Sequence, residues 1–368
     1  MLDTYVDEKK VKEVEENSSF FQDFLYVEKV TKCISPKRLK IIFKRAFVAF
    51  KNYFDREDCD ICFVWNGYLS IPRLFVYFSR SYGKKVYFFE LSNIKGRFFM
   101  DHLGISRDSS LSSISLDRYS PNVERIGGFI NEYKCTKERQ HVPPQSRWRV
   151  NIKGYILDMT YNFLRINRYI YEIRNNIWID VWWESRKKFL SFDIDKYDFE
   201  AKREKYIFFP LQVKSDTQIV LFSQVSLEES IERTIEIASR ENLDILIKPH
   251  PAEKDRKVLN FVKNIKKYVP NLYLVNDNTF SLIKHSKAVV TINSTAGLEA
   301  LMYHKPVLVL GESFYKRLAV DDINVCPSKE KIDGFLDYYI FEYLIEGDYF
   351  DPLVKIDVER VLKILQKK

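Results

Sequence analysis

The segment Lys287–Tyr315, KAVVTINSTAGLEALMYHKPVLVLGESFY, constrains the fold more than any other part of the chain. It opens on a β-branched apolar run, Ala288–Ile292, and turns at Asn293-Ser294-Thr295. Good helix formers follow from Leu298 to Tyr303, and a second apolar run, Val307–Leu310, closes at Gly311. Strand, turn, helix, strand is one βαβ unit. A right-handed crossover puts the helix N-terminus at the carboxyl edge of a parallel sheet, where open α/β folds bind ligands. Ser294 and Thr295 fall at the N-cap, where hydroxyls and free N–H groups suit an anion. Taken alone, the same residues could simply cap the helix.

With 368 residues there is room for two domains. Only 11 glycines argues against a glycine-rich nucleotide loop. The formal charge of +8 suits an anionic partner, and equally a plain basic surface. No apolar stretch approaches a membrane span, and the charged N-terminus lacks a signal-peptide core. Five cysteines fit a reducing compartment. Cys59 and Cys62 form C-x-x-C without a second pair, and read as buried thiols rather than a zinc or redox site.

Taken in order, residues 37–54 have helical apolar spacing, and residues 60–65 and 85–90 read as strands around a helix at 72–81. Glu90 ends the second strand, placed either for function or to pair with Lys95 or Arg97. Residues 94–104 read as a loop carrying Lys95, Arg97, Asp101 and His102, and residues 106–144 as an exposed connection. The stretch 147–192 holds four of the five tryptophans among many basic residues, suited to a membrane interface or to an aromatic core between domains. The polar stretch 191–205 marks a boundary. Strands then fall at 206–211, 244–248 and 272–275, with helices at 226–241, 252–268 and 279–286. Further helices are expected at 330–346 and 352–367. The division is residues 1–195 as an N-terminal Rossmann-like acceptor domain, with a helical insertion at about 147–192. Residues 205–335 form a C-terminal Rossmann-like donor domain, and 336–368 C-terminal helices.

Two phosphate-type signals share the second predicted sheet. Lys248 and His250 follow one strand, and Ser294 and Thr295 follow another, so a cation, an imidazole and a helix tip can converge. His250, between two prolines, could instead serve a turn. Glu299 lies one turn into the helix, placed to accept hydrogen bonds from a ribose.

Lys248-Pro-His-Pro, then Asn293-Ser-Thr-x-Gly297-x-Glu299-Ala, then Lys305-Pro-Val and Gly311 resemble the bacterial capsule polysaccharide synthesis proteins, the β-Kdo (3-deoxy-manno-octulosonate) transferases. Phe208-Phe-Pro-Leu-Gln212-Val-x-x-Asp216-Thr-Gln is similar to that family's strand-turn with an essential aspartate. Trp65-Asn-Gly67, Phe89-Glu90 and Asp101-His-Leu-Gly104 look like its first-half motifs. The resemblance covers roughly residues 60–108 and 206–315.

It implies an α/β, GT-B-type fold, two Rossmann-like domains facing a cleft, and transfer of Kdo from CMP-Kdo to a lipid or glycan acceptor in capsule assembly. Lys248 and His250 would hold the phosphate; Ser294 and Thr295 phosphate or cytidine; Glu299 the ribose, with Gln212, Asn293 and Gly297 in the same donor site. Asp216 would be the nucleophile of a retaining reaction and Glu90 the acid/base. Lys95, Arg97 and Asp101 are candidates for the acceptor or the sugar carboxylate. No cofactor and no metal are expected, since no histidines have ligand spacing. The expected partners are the CMP-sugar, an acceptor at an anionic membrane surface and other capsule assembly proteins, with no nucleic acid. The expected place is the cytoplasm, peripheral to the inner face of the membrane. A sialyltransferase-like enzyme using another CMP-activated keto-acid sugar, or a non-catalytic assembly protein, are the alternatives.

Overall fold

The computed structural model describes residues 5–7, 9, 23–31, 36–116, 119–138, 194–250, 253, 256–347 and 355–366. The aromatic and basic stretch at 147–192 lies outside the described residues.

Helices α1 (Tyr26–Thr31) and α2 (Pro36–Arg56) precede strand β1 (Ile61–Trp65), helix α3 (Ser70–Ser81) and strands β2 (Lys85–Leu91) and β3 (Arg97–Asp101). After two short 3-10 turns comes helix α4 (Val123–Glu138). The second half runs β4 (Tyr206–Pro210), α5 (Thr217–Phe222), α6 (Leu227–Glu241), β5 (Asp244–Lys248) and α7 (Arg256–Lys266). It continues with β6 (Leu272–Leu274), α8 (Thr279–His285), β7 (Ala288–Thr291), α9 (Thr295–Met302) and β8 (Val307–Val309). Helix α10 (Lys329–Asp337) passes into a π-helix at Tyr338–Tyr343, then strand β9 (Ile345–Glu346) and helix α11 (Val358–Gln366).

The second sheet has the order β6-β5-β4-β7-β8 with every pairing parallel. Its strands are buried on both faces, which is why they read as continuous apolar runs. Connections run one way from β4 to β6 and the other way from β7 to β8. The switch point therefore lies between the carboxyl ends of β4 and β7, the crevice where doubly wound sheets bind ligands.

The first sheet has the order β1-β2-β3-β9, and only β1 and β2 are parallel. Residues 94–104, read as a loop from sequence, contain the antiparallel strand β3. Gly96, at φ 75°, makes the turn that lets it pair back onto β2. Residues 106–144, read as an exposed connection, contain α4, which buries Ile126, Ile130 and Tyr133. Cys62 is buried and Cys59 half-buried, with the two sulfurs 3.8 Å apart.

One core spans both halves. Ile94, Phe99 and Leu111 pack with Phe314, Tyr339 and Tyr343. At its rim the carboxylate of Asp337, with no exposed side-chain surface, receives Arg125 Nε at 3.0 Å, Arg125 Nη2 at 2.9 Å, the Tyr119 hydroxyl at 2.6 Å and the Asn122 N–H at 3.1 Å. Burial alone would raise this carboxyl, but the Arg125 and Tyr119 donors outweigh it and hold it below the usual range. Phe341 lies between the Arg97 and Arg125 guanidinium groups, 5.2 and 4.2 Å from its ring centre. An Asp337→Ala protein, which takes the buried acceptor from Arg125, Tyr119 and the Asn122 N–H and leaves Arg125 only Glu342 at 3.4 Å, is expected to lose about 3 kcal/mol, measured by urea unfolding. Among the described residues, no helix is long and apolar enough to cross a membrane.

Candidate active site

Gln212, just past β4, and Asn293, just past β7, stand on either side of the switch point and join it. Gln212 Nε2 donates to Asn293 Oδ1 at 2.9 Å, and Gln212 Oε1 accepts from the Asn293 N–H at 3.2 Å. Asn293 Nδ2 donates to the Gln218 carbonyl at 2.9 Å. These two buried amides are committed to each other and to the backbone, so they shape the floor of the crevice.

Asp216 caps α5, accepting the Gln218 N–H at 2.8 Å, and its side chain is exposed. Helix α5 is wedged between the two halves. Gln218 Oε1 accepts from the Ser106 hydroxyl at 2.7 Å, and Phe222 packs edge-on against Tyr68. The Phe222 carbonyl receives the Glu312 N–H at 2.8 Å. A carboxylate from the second half is thereby presented to the first.

Glu90 meets it there. Burial raises the Glu90 carboxyl above the usual range; the Asn66 amide and the Leu91 N–H oppose that rise, and the charge of Asp216 adds to it. Asn66 Nδ2 reaches Glu90 Oε2 at 2.5 Å from a left-handed turn, Asn66 at φ 61° and Gly67 at φ 88°. A Cβ on Gly67 would stand 2.7 Å from the Phe88 ring, so the turn needs glycine for space as well as for φ.

On the other side of Asp216, burial lowers His250, while the charges of Asp216 and Glu253 favour its protonated form. Lys248 is lowered too, by burial, with Asp277 and Glu299 opposing. Its ammonium donates to the Asp277 carbonyl at 2.7 Å and to Thr279 Oγ1 at 2.9 Å. Helix α9 aims its N-terminus at the same edge. Ser294 Oγ caps the Ala296 N–H at 3.2 Å, while Thr295 is exposed. The Tyr315 hydroxyl donates to the Ser294 carbonyl, and a Cβ on Gly297 would lie 2.5 Å from that hydroxyl oxygen. Gly297 is thus the residue that lets Tyr315 brace the cap.

Burial pushes the Glu299 carboxyl up to about 7, against the pull of Lys137, the Tyr133 hydroxyl and Lys248. Here folding takes up a proton between the ordinary 4.5 and about 7. The stabilisation is complete below that window and is lost as pH rises through about 7. A Glu299→Gln protein, fixed in the neutral form, is expected to melt above wild type by a margin that widens from about pH 5 to about pH 8, read from thermal scans at both values.

Asp216, Glu90, His250, Lys248 and Glu299 therefore form a chain of mutually felt charges, with the α9 tip beside it. Lys95, Arg97 and Asp101 do not join them. Lys95 is exposed on the hairpin turn. Arg97 donates to the Ile340 carbonyl and, at 2.6 Å, to Glu346. Asp101 is 3% exposed and takes the Ser110 N–H and hydroxyl at 2.9 and 2.6 Å and the Tyr343 hydroxyl at 2.7 Å. The two charged side chains that looked available in a loop are fastened inside the fold. Sequence reasoning missed Tyr133, Lys137 and Tyr315. The spacing of Ile126, Ile130 and Tyr133, one helical face, was the signal for the first two. No group of three or more potential metal ligands occurs among the described residues.

Residues 155–326 match the family described as capsule polysaccharide biosynthesis protein. The capsule polysaccharide modification protein LipB of Neisseria meningitidis serogroup A is 22% identical over 278 residues, 66% of this chain and 66% of its own length. Protein FixF of Sinorhizobium fredii is 30% identical over 168 residues, 40% of each chain. The chain thus spans just under two thirds of the first of these relatives and two fifths of the second. Among solved structures, Thermosulfurimonas dismutans KpsC, β-Kdo 2,7 transferase, superposes with a TM-score of 0.50 at 20% identity, covering 90% of this chain and 96% of that one. That likeness is one of fold: two α/β units facing across a cleft, the GT-B type. The residues that carry the strands of the second sheet and the crevice between them are thus similar to the capsule polysaccharide biosynthesis proteins.

Proposed function

We propose that the chain is a capsule glycosyltransferase that moves Kdo from CMP-Kdo to a lipid or glycan acceptor with retention at the anomeric carbon. The observation that carries this reading is Asp216 at the start of α5, the helix wedged between the two halves, where its charge bears on Glu90 in the first and on His250 in the second. A donor phosphate held by Lys248, His250 and the α9 tip would leave its sugar facing Asp216. The Asp216 carboxylate attacks the anomeric carbon, and CMP departs with the electron pair of the broken C–O bond. An acceptor hydroxyl, giving its proton to Glu90, then displaces Asp216. Glu299 takes the ribose hydroxyls. Cations and a helix end stabilise the phosphate charge as it leaves, so the reaction needs no metal.

Purified protein incubated with CMP-Kdo and, separately, CMP-sialic acid tests the donor. Release of CMP from CMP-Kdo in the presence of acceptor supports the proposal. Release from CMP-sialic acid alone favours a sialyltransferase-like enzyme, and release from neither a non-catalytic assembly role. We place the acceptor at an anionic membrane surface, on the composition of residues 147–192. Co-sedimentation with anionic vesicles at low salt is the expected result, and its absence would remove the membrane from the proposal.

A further inference from the structure

Helix α4 precedes the polar boundary in sequence, yet its last turn is fastened to the donor side of the cleft. The turn Asp277-Asn278-Thr279 does the fastening. Asp277 and Thr279 hold the Lys248 ammonium, as described, and Asn278 Nδ2 between them donates to the Lys137 carbonyl at 3.1 Å. Three consecutive residues thus hold the Lys248 ammonium and the Lys137 backbone. The Lys137 ammonium stands 5.4 Å from the centre of the Tyr133 ring, and the Tyr133 hydroxyl is turned toward Glu299. Lys137 and Lys248 both act on the Glu299 carboxyl.

The neighbouring charges on α4 are engaged. Glu138 receives Lys284 at 3.2 Å and the Tyr303 hydroxyl at 2.6 Å, and Lys134 lies 4.4 Å from the Tyr303 ring centre. Lys137 is half-buried, and its ammonium makes no hydrogen bond or close ion pair among the described residues. Lys248 has spent two of its three N–H donors on the 277–279 turn, and the exposed Asp277 carboxylate also acts on it. It has one donor left for a ligand.

We infer that Lys137 is a second phosphate-binding cation of the donor site, acting with Lys248 on the single phosphate of a nucleoside monophosphate. The inference rests on the CMP-sugar reading above. In the sugar nucleotide that phosphate carries one negative charge. As the anomeric C–O bond breaks, the electron pair passes to the phosphate oxygen and the departing nucleotide carries a second. One lysine with a single free donor matches the first charge, and Lys137 meets the other.

Calorimetric titration of CMP and of cytidine separates a phosphate contact from a structural one. Wild type is expected to bind CMP more tightly than cytidine. Lys137→Gln should narrow that gap about tenfold or more, change cytidine affinity far less than CMP affinity, and flatten the salt dependence of CMP binding. Lys137→Arg should restore most of the gap. An unchanged gap in Lys137→Gln, or an equal loss for cytidine, overturns the inference and leaves the CMP-sugar reading standing. Wild-type protein that binds neither compound overturns that reading, and this inference with it.

Discussion

An Asp216→Asn protein is expected to keep its fold and its affinity for CMP while losing sugar transfer by about 10³-fold or more. Asparagine is the substitution to make because Asp216 has two tasks. Its side chain caps α5 by accepting the Gln218 N–H, and asparagine caps a helix about as well as aspartate. It cannot act as an anionic nucleophile. Asp216→Ala confounds the two, since loss of a cap costs about 1 kcal/mol in a six-residue helix that also spans the two halves. Transfer rate, CMP affinity and melting temperature measured on the same preparation give the answer. An Asp216→Asn protein that still transfers at the wild-type rate would remove the nucleophile from the proposal.

Glu90→Gln is expected to lower the rate by about 10²–10⁴-fold with little change in stability, because the Asn66 amide can still donate to the glutamine oxygen. The sharper reading comes from pH. As a base toward the acceptor hydroxyl, Glu90 works in its ionised form, so the rate should rise with pH through a value above the ordinary carboxylate range. Asn66 is one of the groups that hold this value down. Asn66→Gly keeps a residue tolerant of φ 61° while deleting the amide, and should move the acidic limb of the profile to higher pH. A limb that moves to lower pH, or stays fixed, would assign the titration to another group.

The second sheet was legible because its strands are continuous apolar runs. Tyr206–Pro210, Asp244–Lys248 and Ala288–Thr291 could hardly be anything else at that length and spacing. The helices between them announce their starts: Ser226, Asn278 and Ser294 each place a side-chain oxygen on a free N–H. The charged groups at the ends of those strands could be read too, since a parallel sheet delivers such positions to one edge. What could not be read was set by partners distant in sequence. Strand β3 is five residues with a charge at either end, and only its pairing with β2 and with the two-residue β9 makes it a strand. Arg97 and Asp101 looked like binding groups because each was read as a charge in a loop. Their explanations, Glu346 and Tyr343, lie near the other end of the chain. Helix α4 was hidden by the Ser-rich approach to it, although its buried face is regular.

Strand β9 completes the first sheet, and α11 lays Val361, Ile364 and Leu365 against Tyr87, Phe98 and Met100 on its face. On the ribosome this means that the part made first is finished last. While the strands of the second sheet are still being translated, β3 presents an open edge beside uncovered aromatic side chains, the kind of surface that recruits strands from neighbouring chains. The nascent protein should therefore depend on chaperones until β9 and α11 emerge. Deleting β9 and α11 should lower soluble yield.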